Sequence, residues 1–164
     1  MAYLTQAMNQ FSQAPILGQV DQVPSPNVVT VQIDPASAAT SIQVGDVVKL
    51  ITGSSATILV DKCSGPTDGP VYGVILYNER KNTYAAGDLC EVGLGASYVY
   101  LRTSAAVARG AKVTTTASTT TTDPLVTTVS VPSTQYVTGI AIDVAAAANA
   151  LIRVQVAPSL NGAV

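Results

Sequence analysis

From Val28 onward the chain is written in short runs in which β-branched side chains alternate with polar ones, and each run stops at glycine, proline, serine or aspartate. Val29, Val31 and Ile33 alternate with Val28, Thr30 and Gln32 before Asp34-Pro35 ends the run. A repeat of two places alternate side chains on opposite faces of a strand, and a residue before proline leaves helical space. Val47–Ile51, Ala56–Val60 and Val71–Tyr77 follow, separated by Gly53-Ser54-Ser55 and by the stretch from Ser64 to Pro70. Cys90, Val92 and Leu94 share one face of the next strand, and Tyr98 and Tyr100 share one face of Ser97–Thr103. Ala111–Thr116, Leu125–Val131, Tyr136–Ile142 and Leu151–Val156 complete the series. Strands this short, at turn-punctuated intervals, predict an all-β fold, a single β-barrel or sandwich-like domain over residues 28–158. Ala145–Ala150 is the one helical stretch in that span, and it is short enough to be a turn.

The series contains an internal echo. Gly45-Asp46-Val47-Val48 reads like Gly87-Asp88-Leu89-Cys90 and, more loosely, like Gly110-Ala111-Lys112-Val113. Val71-Tyr72-Gly73-Val74-Ile75-Leu76 likewise resembles Tyr136-Val137-Thr138-Gly139-Ile140-Ala141-Ile142. Two half-barrels built to one plan would produce this pattern, and so would chance in a chain with 12 glycines. Gly45, Asp46, Gly87 and Asp88 are assigned as structural turns. Glycine takes the positive φ of a tight turn, and an aspartate side chain bonds nearby backbone amides.

Residues 1–27 differ from the rest. Gln6, Gln10, Gln13, Gln19 and Gln22 lie among small residues, Pro15, Pro24 and Pro26 interrupt regular structure, and Asp21 is the only charged side chain. Met1–Gln13 has Leu4, Ala7, Met8 and Phe11 at helical spacing. The stretch reads either as a frayed terminus or as an extended N-terminal arm that orders against a neighbour. Its 27 residues would span at most ~90 Å, against a radius of gyration near ~15 Å for a compact domain of this length. Residues 159–164 form a C-terminal tail.

Composition decides which partners such a fold can have. Only 11% of the 164 residues are charged while 48% are apolar, and the mean hydropathy is +0.36. The longest apolar stretch, Ile140–Val156, is broken by Asp143, Asn149 and Arg153, so no run approaches the roughly 18 residues of a membrane helix. The apolar excess therefore belongs to a folded domain with a charge-poor surface, the kind of surface on which other chains pack. Net charge is −2, and the eight Lys and Arg are scattered apart from Arg80-Lys81. Without a basic stripe to neutralise phosphates, nucleic acid is not an expected partner. Met1 to Gln6 has neither a positive segment nor an apolar core of a secretory signal, which makes synthesis in a cytoplasm the default. Cys63 and Cys90 fit no metal or redox spacing; they read as two reduced, buried thiols, with a disulfide as the alternative.

The chemistry of catalysis is missing from the inventory. There is no histidine, which removes the commonest general base and metal ligand and any Ser-His-Asp or Cys-His system. Gly53-Ser54-Ser55-Ala56-Thr57 lacks the second glycine of a nucleophile elbow. No phosphate-cradling glycine loop or calcium loop occurs. Ten carboxylates leave room for a glycosidase-like pair, but turn bonding accounts for Asp46 and Asp88. No catalytic, cofactor-binding or metal-binding residue is assigned, and the chain is read as a non-enzyme. Thr114–Thr122 reads as a strand followed by an exposed loop. Seven tyrosines stand against one phenylalanine and no tryptophan. Tyrosine buries a ring while keeping a wet hydroxyl, so Tyr72, Tyr77, Tyr84, Tyr98 and Tyr100, with Phe11, are the candidate interface residues. The alternative is that half of these tyrosines line the core.

The order of motifs carries a resemblance. Val44-Gly45-Asp46-Val47-Val48, Tyr72-Gly73-Val74-Ile75, Ala86-Gly87-Asp88-Leu89, Thr138-Gly139-Ile140-Ala141 and Ile152-Arg153-Val154-Gln155-Val156 together resemble the capsid cement, or decoration, proteins of tailed bacteriophages. The resemblance covers about residues 42–157. The Gln-rich N-terminal stretch and the Thr114–Thr122 insert depart from it. It implies a structural virion protein, made in the cytoplasm of a bacterial host, that binds the major capsid protein on the outer surface of the capsid and stabilises it. It also implies a homotrimer and no cofactor, membrane or catalytic residue. A receptor- or carbohydrate-binding β module of a phage fibre or bacterial surface is the alternative, and a tail-tube subunit is a third. Copy number separates the first two, since a cement protein is present in hundreds per particle and a fibre in a few.

Overall fold

The computed structural model describes residues 15–21, 27–39, 41–53, 57–116, 124–131 and 133–159. The segment Met1–Gln13 with Phe11, residues 117–123 of the threonine-rich stretch and residues 160–164 of the tail lie outside them. The described residues form no helix and 13 strands. They are β1 (Val20–Asp21), β2 (Val28–Ile33), β3 (Ile42–Gln43), β4 (Val47–Leu50), β5 (Leu59–Lys62), β6 (Val71–Ile75) and β7 (Thr83–Tyr84). Then come β8 (Leu89–Gly93), β9 (Tyr98–Thr103), β10 (Lys112–Thr115), β11 (Leu125–Thr128), β12 (Val137–Ala141) and β13 (Leu151–Ser159). The all-β expectation holds. Ala145–Ala150 is a turn whose first residue bridges to Val107.

The sequence predicts a single β-barrel or sandwich-like domain, and within residues 28–159 the sheet closes twice. β2, β5, β4, β6 and β8 form one closed barrel. β9, β11, β10, β12 and β13 form a second ring, because β13 pairs back onto β9. The two rings share one plan down to register. The first strand of each runs parallel to the third, and every other neighbour is antiparallel. Gln32 lies opposite Leu59 and Leu89, as Arg102 lies opposite Leu125 and Leu151. Val48 faces Gly73 and Lys62, as Val113 faces Gly139 and Thr128. Val74 faces Gly93, as Ile140 faces Gln155. The turns correspond too. The Gly45 N–H donates to the Ile75 carbonyl at 2.8 Å, and the Gly110 N–H donates to that of Ala141 at 2.8 Å. The Gly87 N–H donates to the Ile33 carbonyl, and the Asn149 N–H to that of Thr103. Gly87 and Asn149 both have positive φ, 85° and 65°, so asparagine stands where the first repeat has glycine. The echo in the sequence is thus a duplicated five-stranded barrel.

Each barrel has its own core, and β4 and β6 serve both. Val48 and Ile75 point into the first barrel with Val31, Ile33, Val60 and Val92. Their neighbours Val47 and Val74 join Val99, Leu101, Val113, Ile152 and Val154 of the second. Strands buried on both faces read as continuous apolar runs, which is why Val47-Val48 and Val71–Leu76 show weaker alternation than β2. Residues 15–21 tie the barrels together. The Gly18 N–H donates to the Tyr100 carbonyl at 2.7 Å and the Tyr100 N–H to that of Gln19 at 2.9 Å, while the Tyr77 N–H donates to the Gly18 carbonyl at 2.9 Å. β1 then pairs antiparallel with β9. The sequence placed these residues in an arm because backbone bonding leaves no side-chain period to detect.

Candidate interaction surface

The two Gly-Asp motifs build the same turn. In each, the aspartate N–H donates to the carbonyl three residues back at 3.1 Å (Asp46 to Gln43, Asp88 to Ala85), with Gly45 or Gly87 at positive φ between them. The carboxylate then accepts from the N–H of that same residue, Gln43 at 2.8 Å and Ala85 at 2.6 Å. A lysine completes each, Lys62 at 2.9 Å from Asp46 and Lys81 beside Asp88. The environments differ. Asp46 is 2% exposed, and burial pushes its carboxyl above the ordinary carboxylate value although Lys62 and the Gln43 N–H offset part of that. Asp88 is solvated, and Lys81 and the Ala85 N–H hold its carboxyl below that value. Asp46→Ala is therefore expected to cost about 1–3 kcal/mol of unfolding free energy, because the Lys62 ammonium and the Gln43 N–H lose their buried partner. Asp88→Ala should shift the urea midpoint less. Equal shifts would remove burial as the cause.

Asp46 lines a cleft of about 360 Å³ at the junction of the barrels, with Lys49, Asp61, Lys62, Cys63 and Asp68 on one side and Thr115, Thr116, Pro124 and Leu125 on the other. Lys62 pairs with Asp46 and Lys49 with Asp68, while Asp61 accepts from the Ser37 hydroxyl at 2.6 Å and the Lys62 N–H at 2.8 Å. Lys49 sits 2.7 Å from Asp68, where the lysine and the Ser64 N–H and hydroxyl outweigh burial and hold the carboxyl low. Burial, helped by Asp68, pushes the Cys63 thiol up to about 12, and burial with Asp88 pushes Cys90 to about 11. Both thiols are free, buried and un-ionised at neutral pH, so neither is a nucleophile there. Among the described residues no group of three or more Cys, Asp or Glu is placed to hold a metal. Chemically the cleft is a structural ion cluster.

Two outward faces carry the exposed and half-buried candidates, that of β2 with β8 and that of β9 with β13. Tyr98 and Tyr100 stand on the outer side of β9, half-buried, opposite Gln155 and Arg153 of β13. Arg153 is held by a bidentate pair with Asp143 at 2.9 and 3.0 Å. The equivalent face of the first barrel carries Val28 and Leu89, 40% and 63% exposed. Leu89 is the most exposed large apolar side chain described, and Gln32 separates it from Leu59 across the register. Alternation alone had not singled out Leu89, since its exposure depends on which face the barrel closes over. Tyr72 and Tyr77 pack half-buried against the first core. Tyr84 lies inside that core at 7% exposure, with the Lys81 ammonium 5.5 Å from its ring centroid. The candidate tyrosines thus fall into two groups on different barrels, and Tyr84 offers its surface to packing.

No curated protein sequence matches the chain significantly. Among solved structures, the N-terminal base of the head fibre protein gp8.5 of bacteriophage phi29 superposes with a TM-score of 0.51 at 16% identity, covering 80% of this chain and 94% of that one. At that identity the likeness concerns the fold. A family model described as structural cement protein (E217 gp24/Pam3 gp6) matches residues 4–157, which takes in both barrels and the strap that joins them. The chain belongs to the phage structural cement proteins.

Proposed function

We propose that this protein decorates the outer surface of a phage capsid through the major capsid protein, stabilises the shell mechanically, and does so as a homotrimer without catalysis. The observation that carries the reading is the family match along nearly the whole described chain. A charge-poor surface with exposed Leu89 and Val28 on one barrel and tyrosines on the other supports it. In this reading the protein is made in the host cytoplasm, Tyr72, Tyr77, Tyr98, Tyr100 and Phe11 contribute contact area, and residues 1–14 reach a neighbouring chain. Added to undecorated mature heads, the purified protein should bind in hundreds of copies and raise their melting temperature. Heads that neither take it up nor gain stability would overturn the reading. A few copies per particle would point to a fibre base.

Attachment is expected to resist salt. Exposed ion pairs contribute only ~0.2–1 kcal/mol each, whereas apolar burial contributes about 25 cal/mol per Å². The eight cations and ten anions of the whole chain are few, and the four ion pairs described join residues within it. Occupancy on heads should be unchanged at 1 M salt. Release under those conditions with the fold intact would place an electrostatic partner opposite this surface.

A further inference from the structure

The duplication permits a comparison of equivalent edges. On the second barrel, β9 is flanked on one side by β13 and on the other by β11 at its end and β1 at its start. On the first barrel, β2 is flanked by β8 on one side and by β5 at its end, and the start of that second side has no strand among the described residues. The position is the counterpart of the one β1 fills. The bonding pattern shows what it presents. Thr30 lies opposite Glu91, whose carbonyl accepts from the Leu76 N–H of the strand beyond at 2.9 Å. Thr30 and Glu91 are therefore a non-hydrogen-bonded antiparallel pair, and the Thr30 N–H and carbonyl point away from β8. Their counterparts on Tyr100 bond Gln19 and Gly18. Thr30 is exposed, as is Val28. Leu89, the most exposed apolar residue, stands on the same outer face. A strand edge with no strand beside it among the described residues, next to apolar side chains, is a template for an added strand.

We propose that the edge of β2 at Val28–Thr30 takes up residues 1–14 of a second copy of this chain as an added strand, in the position that β1 occupies on the second barrel. Each chain has one such edge and one such segment, so the exchange is heterologous and can run around a closed ring of copies. Residues 1–14 carry no charged side chain and include Tyr3, Leu4, Met8 and Phe11, which suits an edge bordered by Val28 and Leu89. Fully extended they reach about 45–50 Å, several times the ~15 Å radius of gyration of the domain. The chain's own Gly18–Asp21 is already committed to β9. The proposal deepens the reading that residues 1–14 contact a neighbour.

The test is disulfide trapping in the full chain. Copies carrying Thr30→Cys are mixed with copies carrying Thr5→Cys, Met8→Cys or Ser12→Cys, in concentrated solution and on heads. Buried Cys63 and Cys90 stay silent. A heterodimer at one or more of the three positions, with no homodimer of either parent, is the expected result. Homodimers of the parents alone, a cross-link from Thr30→Cys to the shell protein, or no cross-link at all overturns the assignment. In parallel, Thr30→Pro removes the outward N–H and no bond to β8, so it should lower occupancy on heads at least tenfold with the melting temperature of the isolated protein unchanged; full occupancy with the fold intact also overturns it. Wild-type occupancy is scored in the same preparations. Bare heads would overturn the attachment reading, whereas decorated heads without the cross-link overturn the β2 assignment alone.

Discussion

Gly139→Ala is expected to destabilise the protein by about 1–3 kcal/mol or more, the range for forcing atoms into a packed interior. A Cβ at Gly139 would overlap the carbonyl oxygen of Gln155 and come within 2.8 Å of Val154 Cγ1. The oxygen belongs to β13, paired on one side with β12 and on the other with β9, so it cannot move without breaking the ring. The first barrel repeats the contact. A Cβ at Gly73 would lie 2.5 Å from the Gly93 carbonyl oxygen and from Val92 Cγ1, and Gly93 and Val92 are the counterparts of Gln155 and Val154. Both alanine variants should therefore shift the urea midpoint in the same direction. Gly53→Ala is the control, with open space around it and an ordinary φ, and should stay within about 0.5 kcal/mol of wild type. If Gly139→Ala behaves like the control, the close strand approach is not what these glycines serve.

The second large effect concerns the strap. Removing residues 1–14 is expected to leave the stability of the barrels unchanged, whereas removing residues 1–21 should cost about 2–5 kcal/mol. The difference comes from the three backbone hydrogen bonds of Gly18 and Gln19, at about 0.5–1.5 kcal/mol each, and from lost packing. Leu17 lies over Gly45, close enough that a Cβ there would sit 2.9 Å from it, and Val20 packs against the second core. Gly18→Ala should reproduce much of the loss at full length, because its φ is +72° and a Cβ would overlap Val44 Cγ1. Thermal unfolding of the three variants distinguishes the cases. Equal melting temperatures for the two truncations would mean that the strap lies on the barrels without holding them.

Much of the architecture was legible. Each of the ten alternating runs overlaps a strand of the structure, although β5 begins and ends later than Ala56–Val60 and β13 runs on past Val156, and the glycines at 45 and 87 occupy turns of positive φ with aspartates bonding back across them. The Tyr-Gly-Val element and its echo at Thr138-Gly139-Ile140, like the looser echo of Gly45 at Gly110, came from the duplication, whereas the closer Gly-Asp echo joins two turns of the same barrel. Identity between the halves is too sparse to separate the two cases by inspection. β1, β3 and β7, of two residues each, were not legible, because two residues carry no period. Tyr84 belongs to β7, so its place in the core was hidden with that strand. The exposure of Leu89 was hidden for another reason: in Leu89–Gly93 the pattern says which residues share a face, and Cys90 and Val92 claim the inside.

The sequence by itself determined that this chain is β throughout its described core, roughly where its ten longer strands lie, and that its surface is short of charge. Those properties are local: alternation, turn chemistry and composition are read residue by residue. Only the tertiary structure decided that the strands close into two rings, that β2 lies parallel to β5 and β9 to β11, and that residues 15–21 clasp both barrels. Pairing is made by backbone N–H and carbonyl groups, which are the same at every residue, so a strand's side chains say which way it faces and leave open which neighbour it takes. The same indifference leaves one edge of β2 without a described partner while its counterpart on β9 is filled, and no side chain in either strand announces the difference.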